Sequence, residues 1–170
     1  MIRPYTDYKN KMIGKRINYD HWLGYQCVDL FKDYCNRVIW KSYWKTGNAK
    51  QIWTNKYKIF DKMWTYVQGT KDLMQWDIIV SIKGTYWHVA IIDRITWWKI
   101  FVLEQNGSGK RSGNGLGPNA IRIRPYPFSF WTGIWRCEKI FQNLQLERQY
   151  INKTNKNTLD YENSIRYIFK

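Results

Sequence analysis

The chain has 170 residues and a formal net charge of +15, with 28 Lys and Arg against 13 Asp and Glu. This length suits one domain with a sizeable core. The mean hydropathy is −0.61, and the longest apolar runs are far below the roughly 20 residues of a membrane-spanning helix. The charge leaves two classes of polyanionic partner open, nucleic acid and an anionic bacterial wall.

Residues 1–17 show no clear period and are predicted to form a lead-in segment. They contain no apolar signal core, so we expect extracellular action to require release by lysis or delivery on a particle. From Cys27, apolar residues recur at helical intervals, which predicts a helix from about Gln26 to Trp44. A second helix is predicted from about Ile52 to Gln68–Gly69.

Lysines alternate with aromatic residues over 41–62. This pattern fits a stacking platform for nucleic-acid bases, or more simply a solvated helix face above an aromatic core. Strand patterns follow, at about 77–82, 86–95, 98–105, 119–125 and 132–137. Helices followed by an antiparallel meander predict an α+β fold.

Two segments near the end of the chain lack a strand pattern. The glycine-rich stretch 107–118 is predicted to be a mobile loop beside the substrate cleft. A phosphate cradle is disfavoured there, because Pro118 leads into a strand rather than a helix. Residues 138–170 are rich in Asn, Lys, Gln and Tyr, and we expect an extension with at most a short amphipathic helix.

The three cysteines form an odd set without metal-type spacing, which argues against a disulfide framework or a zinc site. Cys35 and Cys137 lie among apolar residues and are predicted to be buried structural thiols. Cys27 differs, because it follows Gly24 and the polar Gln26 at the start of a predicted helix. Helix amides stabilise a thiolate at that position, so Cys27 is the candidate nucleophile.

His88 begins a run with the character of a buried strand, and a buried imidazole needs a partner or a function. Glu104 and Asn106 are i and i+2 on one predicted strand and should share a face. We expect Glu104 to accept a hydrogen bond from His88 with Asn106 alongside, although the sequence leaves open which of the two contacts the ring. Cysteine, histidine, then a carboxylate with an amide is the order that a papain-like thiol hydrolase needs.

Four motifs in this order resemble the CHAP family, cysteine- and histidine-dependent amidohydrolase/peptidase domains of phage lysins and wall-remodelling enzymes. The motifs are Gly24–Leu30, Trp76–Val80, His88–Asp93 and Val102–Gly107, and the match runs from about Asn18 to Arg136. The resemblance implies a papain-like (NlpC/P60-like) α+β fold with N-terminal helices packed on an antiparallel β-sheet. The catalytic domain would span 1–137, with its core at about 18–137, and 138–170 would be an extension.

The resemblance also implies roles. Cys27 would be the nucleophile, with its backbone N–H in an oxyanion hole, and His88 the general base. Glu104 and Asn106 would orient the histidine and complete the site. Gln26 and Trp87 are candidate substrate contacts. Family members usually carry glycine where this chain has Trp76 and Trp87. Trp87 is bulky next to the candidate base, which suggests a reshaped cleft, or a specialised or weakened enzyme.

Asn18, Asp20 and Asp29 resemble an Asp-x-Asp calcium loop found in some phage members of the family. Hard oxygen ligands at alternating positions suit calcium, but asparagine in the first position removes a charge and should weaken binding. The alternative is a turn in which Asn18 and Asp20 cap backbone amides. No other cofactor is expected.

The resemblance therefore implies a bacteriophage peptidoglycan hydrolase, either an N-acetylmuramoyl-L-alanine amidase or an endopeptidase. We expect it in the phage virion, at the tail, with 138–170 contacting other virion proteins. The rival is an endolysin that stays in the host cytoplasm until holin-mediated release. Two other classes remain as alternatives, a non-catalytic structural or binding component of a virion and, less favoured, a basic nucleic-acid-binding protein.

Overall fold

The computed structural model describes residues 5–43, 46–55, 62–83, 87–107 and 120–138, together with 140 and 142. The chain divides into two compact units, Met1–Cys137 and Glu138–Lys170. Everything described below belongs to the first unit. The predicted loop at 108–118 and most of the predicted extension lie outside the described residues. The assignment of residues 1–137 as a catalytic domain and of 138–170 as an anchor stays a prediction.

Three α-helices occur among the described residues: α1 (Tyr5–Met12), α2 (Cys27–Tyr34) and α3 (Ala49–Thr54). None of them is long and apolar enough to cross a membrane. Helix α2 continues as a π-helix, Cys35–Ile39, which ends where Trp40 adopts a left-handed backbone with φ 62°. The helix predicted to reach Trp44 therefore ends about one turn early.

Helix α1 was not predicted, since its segment was interpreted as a lead-in without period. Its buried residues are nevertheless spaced as one helical face: Tyr5, Tyr8 and Met12. The helix is held on the sheet at a β-bulge, where the Tyr5 hydroxyl (3.3 Å) and the Lys9 ammonium (2.9 Å) both contact the Asp93 carboxylate. The sequence does not reveal this helix, because its two buried aromatic residues are too weak a local pattern. The ion pair with Asp93 joins residues far apart in the chain.

Six strands form one antiparallel sheet in the order β1-β6-β2-β3-β4-β5. Their bounds are β1 Trp64–Gln68, β2 Ile78–Ser81, β3 His88–Ile95, β4 Ile100–Glu104, β5 Arg122–Tyr126 and β6 Gly133–Cys137. The α+β class and the five predicted strands, β2 to β6, are confirmed. The helix predicted to end near Gln68–Gly69 is wrong at its C-terminal end, because residues 64–68 form β1, paired with β6. Pairing with a distant strand overrides a helix-like spacing of apolar residues.

The core lies where α2 packs against β3. Strand β2 is buried along its whole length and β3 over its first six residues. A cluster of buried aliphatic and aromatic residues forms a hydrophobic core: Ile79, Ala90, Ile92, Ile100, Val102, Tyr126, Trp131 and Ile134. Because the first residue of α2 is Cys27 and the first residue of β3 is His88, this packing decides whether the two candidate residues can meet.

Candidate active site

Cys27 is the first residue of α2. The chain turns at Gly24, which has φ 75°, and Gln26 is extended before the helix begins. The Gln26 backbone N–H donates to Asp29 Oδ2 at 2.8 Å and so caps this end of the helix. The N–H of Cys27 is one of the helix amides without an intrahelical acceptor, at the positive end of the helix dipole. The thiol lines a cleft, although only 9% of the residue is exposed.

His88 lies between Cys27 and Glu104. Its Nε2 is 2.9 Å from Glu104 Oε2, and the Cys27 side chain is near enough to act on the imidazole and raise its pKa. Because Glu104 occupies Nε2, the nitrogen left for the sulfur is Nδ1. The imidazole is stacked on the Trp131 ring, with centroids 6.0 Å apart and planes at 28°. The ring is therefore fixed both by its hydrogen bonds and by its packing.

Glu104, at the end of β4, has no exposed surface. Its Oε2 also accepts a hydrogen bond from the Tyr126 hydroxyl at 2.6 Å, and its Oε1 lies 3.2 Å from Arg122 Nε and 3.7 Å from Arg124 Nη1. Burial opposes ionisation, but the hydrogen bond and charge of His88, together with Tyr126 and Arg122, lower the pKa of Glu104. A buried charge with this many donors can stay ionised.

The contact between His88 and Glu104 raises the pKa of His88, whereas it lowers that of Glu104. Burial lowers the pKa of an imidazole, but hydrogen bonds and charge from Cys27 and Glu104 outweigh it and raise the pKa of His88 to about 9. At neutral pH this favours the imidazolium. An imidazolium beside a cysteine at a helix N-terminus is the environment that stabilises a thiolate.

Asn106 is not hydrogen-bonded to the imidazole, since its Oδ1 is buried without a hydrogen-bond partner. Strand β4 ends at Glu104, and Asn106 follows in a left-handed conformation, φ 55°, so the alternation of a strand no longer applies. Its Nδ2 donates to Gln26 Oε1 at 2.9 Å. Glu104 is thus the member of the pair that contacts His88, and Asn106 instead holds the residue that precedes the nucleophile.

Three buried residues of the site were missed. Gln105, wholly buried, joins the backbone of Ile17 to the carbonyl of Gln26 through its side-chain amide, with contacts of 2.7–2.8 Å. Tyr126, at the end of β5, donates a hydrogen bond to Glu104. Trp131, in the segment after β5, stacks on His88. Gln105 could have been noticed in the sequence, because it lies between two candidate residues. No local pattern indicates Tyr126 or Trp131.

The cleft beside Cys27 contains both predicted substrate contacts, Gln26 and Trp87. The Lys50 ammonium lies over the Trp87 ring, 4.7 Å from its centroid. Trp22 also lines the cleft and is 72% exposed. The other lining residues are Asp20, Leu23, Val28, Asp29, Lys32, Gly47, Asn48, Ala49 and Gln51. The cleft therefore offers indole surface and polar groups around one thiol.

Trp76, where members of the CHAP family that the sequence resembles usually have glycine, has a left-handed backbone with φ 79°. Glycine adopts this conformation at little cost, whereas other residues do so at a steric cost. The indole packs against Tyr5, with centroids 5.7 Å apart, and the Trp76 carbonyl accepts a hydrogen bond from Tyr34. The indole Nε1 of Trp76 is buried without a hydrogen-bond partner.

Asp20 and Asp29, two of the three residues predicted to bind calcium, line the cleft. Burial opposes ionisation of Asp20, but hydrogen bonds from Lys32 and Trp22 outweigh it and lower its pKa. Burial raises the pKa of Asp29 to about 6, against the effect of its backbone hydrogen bonds and with a contribution from the charge of Asp20. Asn18 Oδ1 is buried without a hydrogen-bond partner. No group of three His, Cys, Asp or Glu that could hold a metal occurs within the described residues.

All three cysteines are buried, and none forms a disulfide. Burial, with a smaller contribution from nearby Cys137, raises the pKa of Cys35 well above its ordinary value. A thiol held in its protonated form within the core is unreactive. Cys27 is the only one of the three cysteines that lines the cleft.

No family model matches the sequence, and no curated protein matches it. The fold is similar to that of a solved structure, the wild-type endolysin LysIME-EF1. The TM-score is 0.63 and the sequence identity 18%, over 80% of this chain and 64% of the endolysin chain. The chain thus spans less than two thirds of that protein's length. At this identity the likeness shows a shared fold.

The position of Glu104 can be tested through Gly107. A Cβ atom at Gly107 would overlap the Glu104 carboxylate. Gly107→Ala should therefore displace the carboxylate from His88 and slow labelling of Cys27 by iodoacetamide at neutral pH by roughly tenfold, because the thiolate loses its charged partner. Gly69→Ala, where the new methyl group meets no atom within 4 Å although the backbone has φ 80°, is the control for loss of a glycine without a clash with Glu104. Equal labelling rates in the two variants would show that Glu104 does not act on the thiol.

Proposed function

We propose that the chain is a papain-like cysteine hydrolase of the CHAP type that degrades bacterial peptidoglycan. The observation that carries the proposal is the contact series from Cys27 through His88 to Glu104, beside a cleft and at a helix N-terminus. The fold shared with an endolysin supports peptidoglycan as the substrate class. The net charge of +15 supports attraction to an anionic wall.

In this mechanism the Cys27 thiolate attacks the carbonyl carbon of a substrate amide. The backbone N–H of Cys27 donates to the developing oxyanion. Gln26 Nε2 donates to the Leu23 carbonyl at 2.8 Å, so its amide holds the preceding turn. His88 gives its Nδ1 proton to the departing nitrogen, the C–N bond breaks, and a thioester on Cys27 remains. Water then attacks the thioester while His88 accepts its proton, releasing the acid and the thiolate.

The bond cut is an N-acetylmuramoyl–L-alanine amide or a peptide bond of the stem or cross-bridge. Mass spectrometry of digested, purified peptidoglycan distinguishes the two. An amidase releases stem peptides with a free L-alanine amino group, whereas an endopeptidase leaves peptide on the muramic acid. Intact peptidoglycan after prolonged incubation would reject both activities.

We propose that the enzyme acts from a bacteriophage particle, at its tail, with 138–170 as the attachment. A lysin carried by a docked particle works at high local concentration on the wall. Mass spectrometry of purified particles tests this. Abundance in lysates with absence from particles would favour the rival, an endolysin retained in the host cytoplasm until a holin releases it.

A second candidate is a non-catalytic wall-binding component of a particle, favoured by the bulky Trp87 in the cleft beside Cys27. It predicts binding to walls without release of amino groups. In that case Cys27 should react with a thiol probe at neutral pH no faster than a free cysteine does.

The pH profile provides a further prediction. The pKa of His88 is raised from 6.5 to about 9, so kcat/KM should fall as pH rises through about 9 and the imidazolium loses the proton that the leaving group needs. The stabilisation from the same group is fully present below pH 6.5 and is lost as pH rises through about 9. His88→Gln should remove this pH dependence from the thermal midpoint. A wild-type midpoint that does not change between these pH values would contradict the assigned charge.

A further inference from the structure

Lys32 is a buried cation beside the nucleophile's helix. Its side chain is 4% exposed, and its ammonium lies 2.6 Å from Asp20 Oδ2. The other oxygen of Asp20 accepts the backbone N–H of Trp22 at 2.9 Å. Through this carboxylate, Lys32 joins α2 to the loop that precedes it, here defined as the entry loop, residues 19–25.

Asp29 holds the same loop from one turn earlier in α2. Its Oδ1 accepts the backbone N–H groups of Tyr19 and Asp20 at 3.0 and 3.4 Å. Its Oδ2 accepts that of Gln26 at 2.8 Å. Both oxygens therefore face N–H donors.

These contacts do not fit a calcium ion. Calcium takes six to eight oxygen ligands at about 2.3–2.6 Å. Here Asp20 faces an ammonium and Asp29 faces three N–H groups. Asn18 Oδ1, buried without a hydrogen-bond partner, is the one oxygen of the three side chains left available. The Lys32 charge would also repel a divalent ion next to Asp20.

We propose that the Lys32 ammonium is a built-in cation that takes the place of a divalent ion and holds the entry loop on α2. A lysine ammonium is a compact charge with three donors, and its covalent attachment makes the contact independent of calcium in solution. Trp22 and Leu23 of the entry loop line the cleft, so the ion pair also positions one wall of the candidate active site. The inference does not depend on the bond that the enzyme cuts.

The first test is the thermal midpoint of the wild-type chain in excess chelator, in millimolar calcium and in millimolar magnesium. A bound ion stabilises a fold by mass action. We expect the three midpoints to agree within about 1 °C, because no ion site contributes. A rise of several degrees that calcium produces and magnesium does not would overturn the proposal.

The second test compares two lysine ion pairs. Lys32→Met keeps the aliphatic stem and removes the charge, and Lys9→Met does the same to the pair with Asp93. Lys32→Met should lower the midpoint by roughly 5–10 °C, because it leaves a partly buried carboxylate unpaired. It should also open the entry loop to limited proteolysis, mapped by mass spectrometry.

Lys9→Met should leave the entry loop protected, because Lys9 contacts β3 instead. Equal protection of the entry loop in the two variants would overturn the proposal. If Lys32→Met does not fold, Asp20→Asn replaces it with the same expected cleavage. Because these tests measure midpoints and proteolysis, their outcome is separate from that of the peptidoglycan assays.

Discussion

Replacing Cys27 with serine should abolish peptidoglycan hydrolysis, with a loss of about 1,000-fold or more in kcat/KM. The raised pKa of His88, about 9, means that the imidazole already carries a proton at neutral pH. It is therefore matched to a thiolate, whereas a serine hydroxyl stays protonated at neutral pH and is a much weaker nucleophile. Release of amino groups from purified walls measures the effect.

The control for this variant is Cys35→Ala. Cys35 is wholly buried in the core, so its truncation should lower the thermal midpoint while the folded enzyme keeps its activity. The two variants separate loss of the nucleophile from loss of stability. Wild-type hydrolysis by Cys27→Ser would reject cysteine catalysis, and loss of activity in Cys35→Ala without unfolding would reject the assignment of the nucleophile to Cys27.

Glu104→Gln should reduce kcat/KM by roughly 100- to 10,000-fold, the range expected when a histidine loses the carboxylate that orients it. The carboxylate is one of two groups that raise the pKa of His88. Its neutral amide should move the alkaline limb of the pH profile below pH 9. The change also leaves Arg122 and Arg124 without their buried counter-charge, so some loss of stability is expected.

Tyr126→Phe is the matched control, because it removes one hydrogen bond from the same oxygen of Glu104 and keeps the charge. We expect a loss of only several-fold and an alkaline limb close to that of the wild type. An unchanged pH profile in Glu104→Gln would mean that Glu104 serves only to fill and stabilise the core. The pH profiles of kcat and kcat/KM, measured on folded protein at saturating and at limiting substrate, separate the effect of Glu104 on His88 from its contribution to stability.

The sequence alone predicted β2 to β6 and the three residues whose side chains meet in the candidate site. Strands β2 and β3 are continuous apolar runs, a signal carried by neighbouring residues in the chain. Cys27, His88 and Glu104 were found because each is unusual where it stands, and because the motifs that contain them resemble those of the CHAP family. The unusual features are a thiol after a polar residue, an imidazole in an apolar strand and a charge at the end of another strand. Such oddities are local and can be read without a structure.

Asn106 shows where local patterns mislead. The prediction that it shares a face with Glu104 assumed that the strand continues, whereas the strand ends at Glu104 and the backbone then becomes left-handed. Strand β1 was mistaken for helix for a related reason, since its partner β6 lies about 70 residues away. In both cases the outcome was decided by contacts far apart in sequence.

The sequence by itself determined which residues are buried in strands, which thiol is exceptional and in what order the candidate catalytic groups occur. The tertiary structure alone decided that Glu104 rather than Asn106 holds His88, that Gln105 and Tyr126 support the site, and that Lys32 faces Asp20. The physical reason is that hydrophobic periodicity is a property of neighbouring residues. Hydrogen bonds and ion pairs between buried polar groups depend instead on distances that exist only after α2, β3, β4 and β5 have packed together.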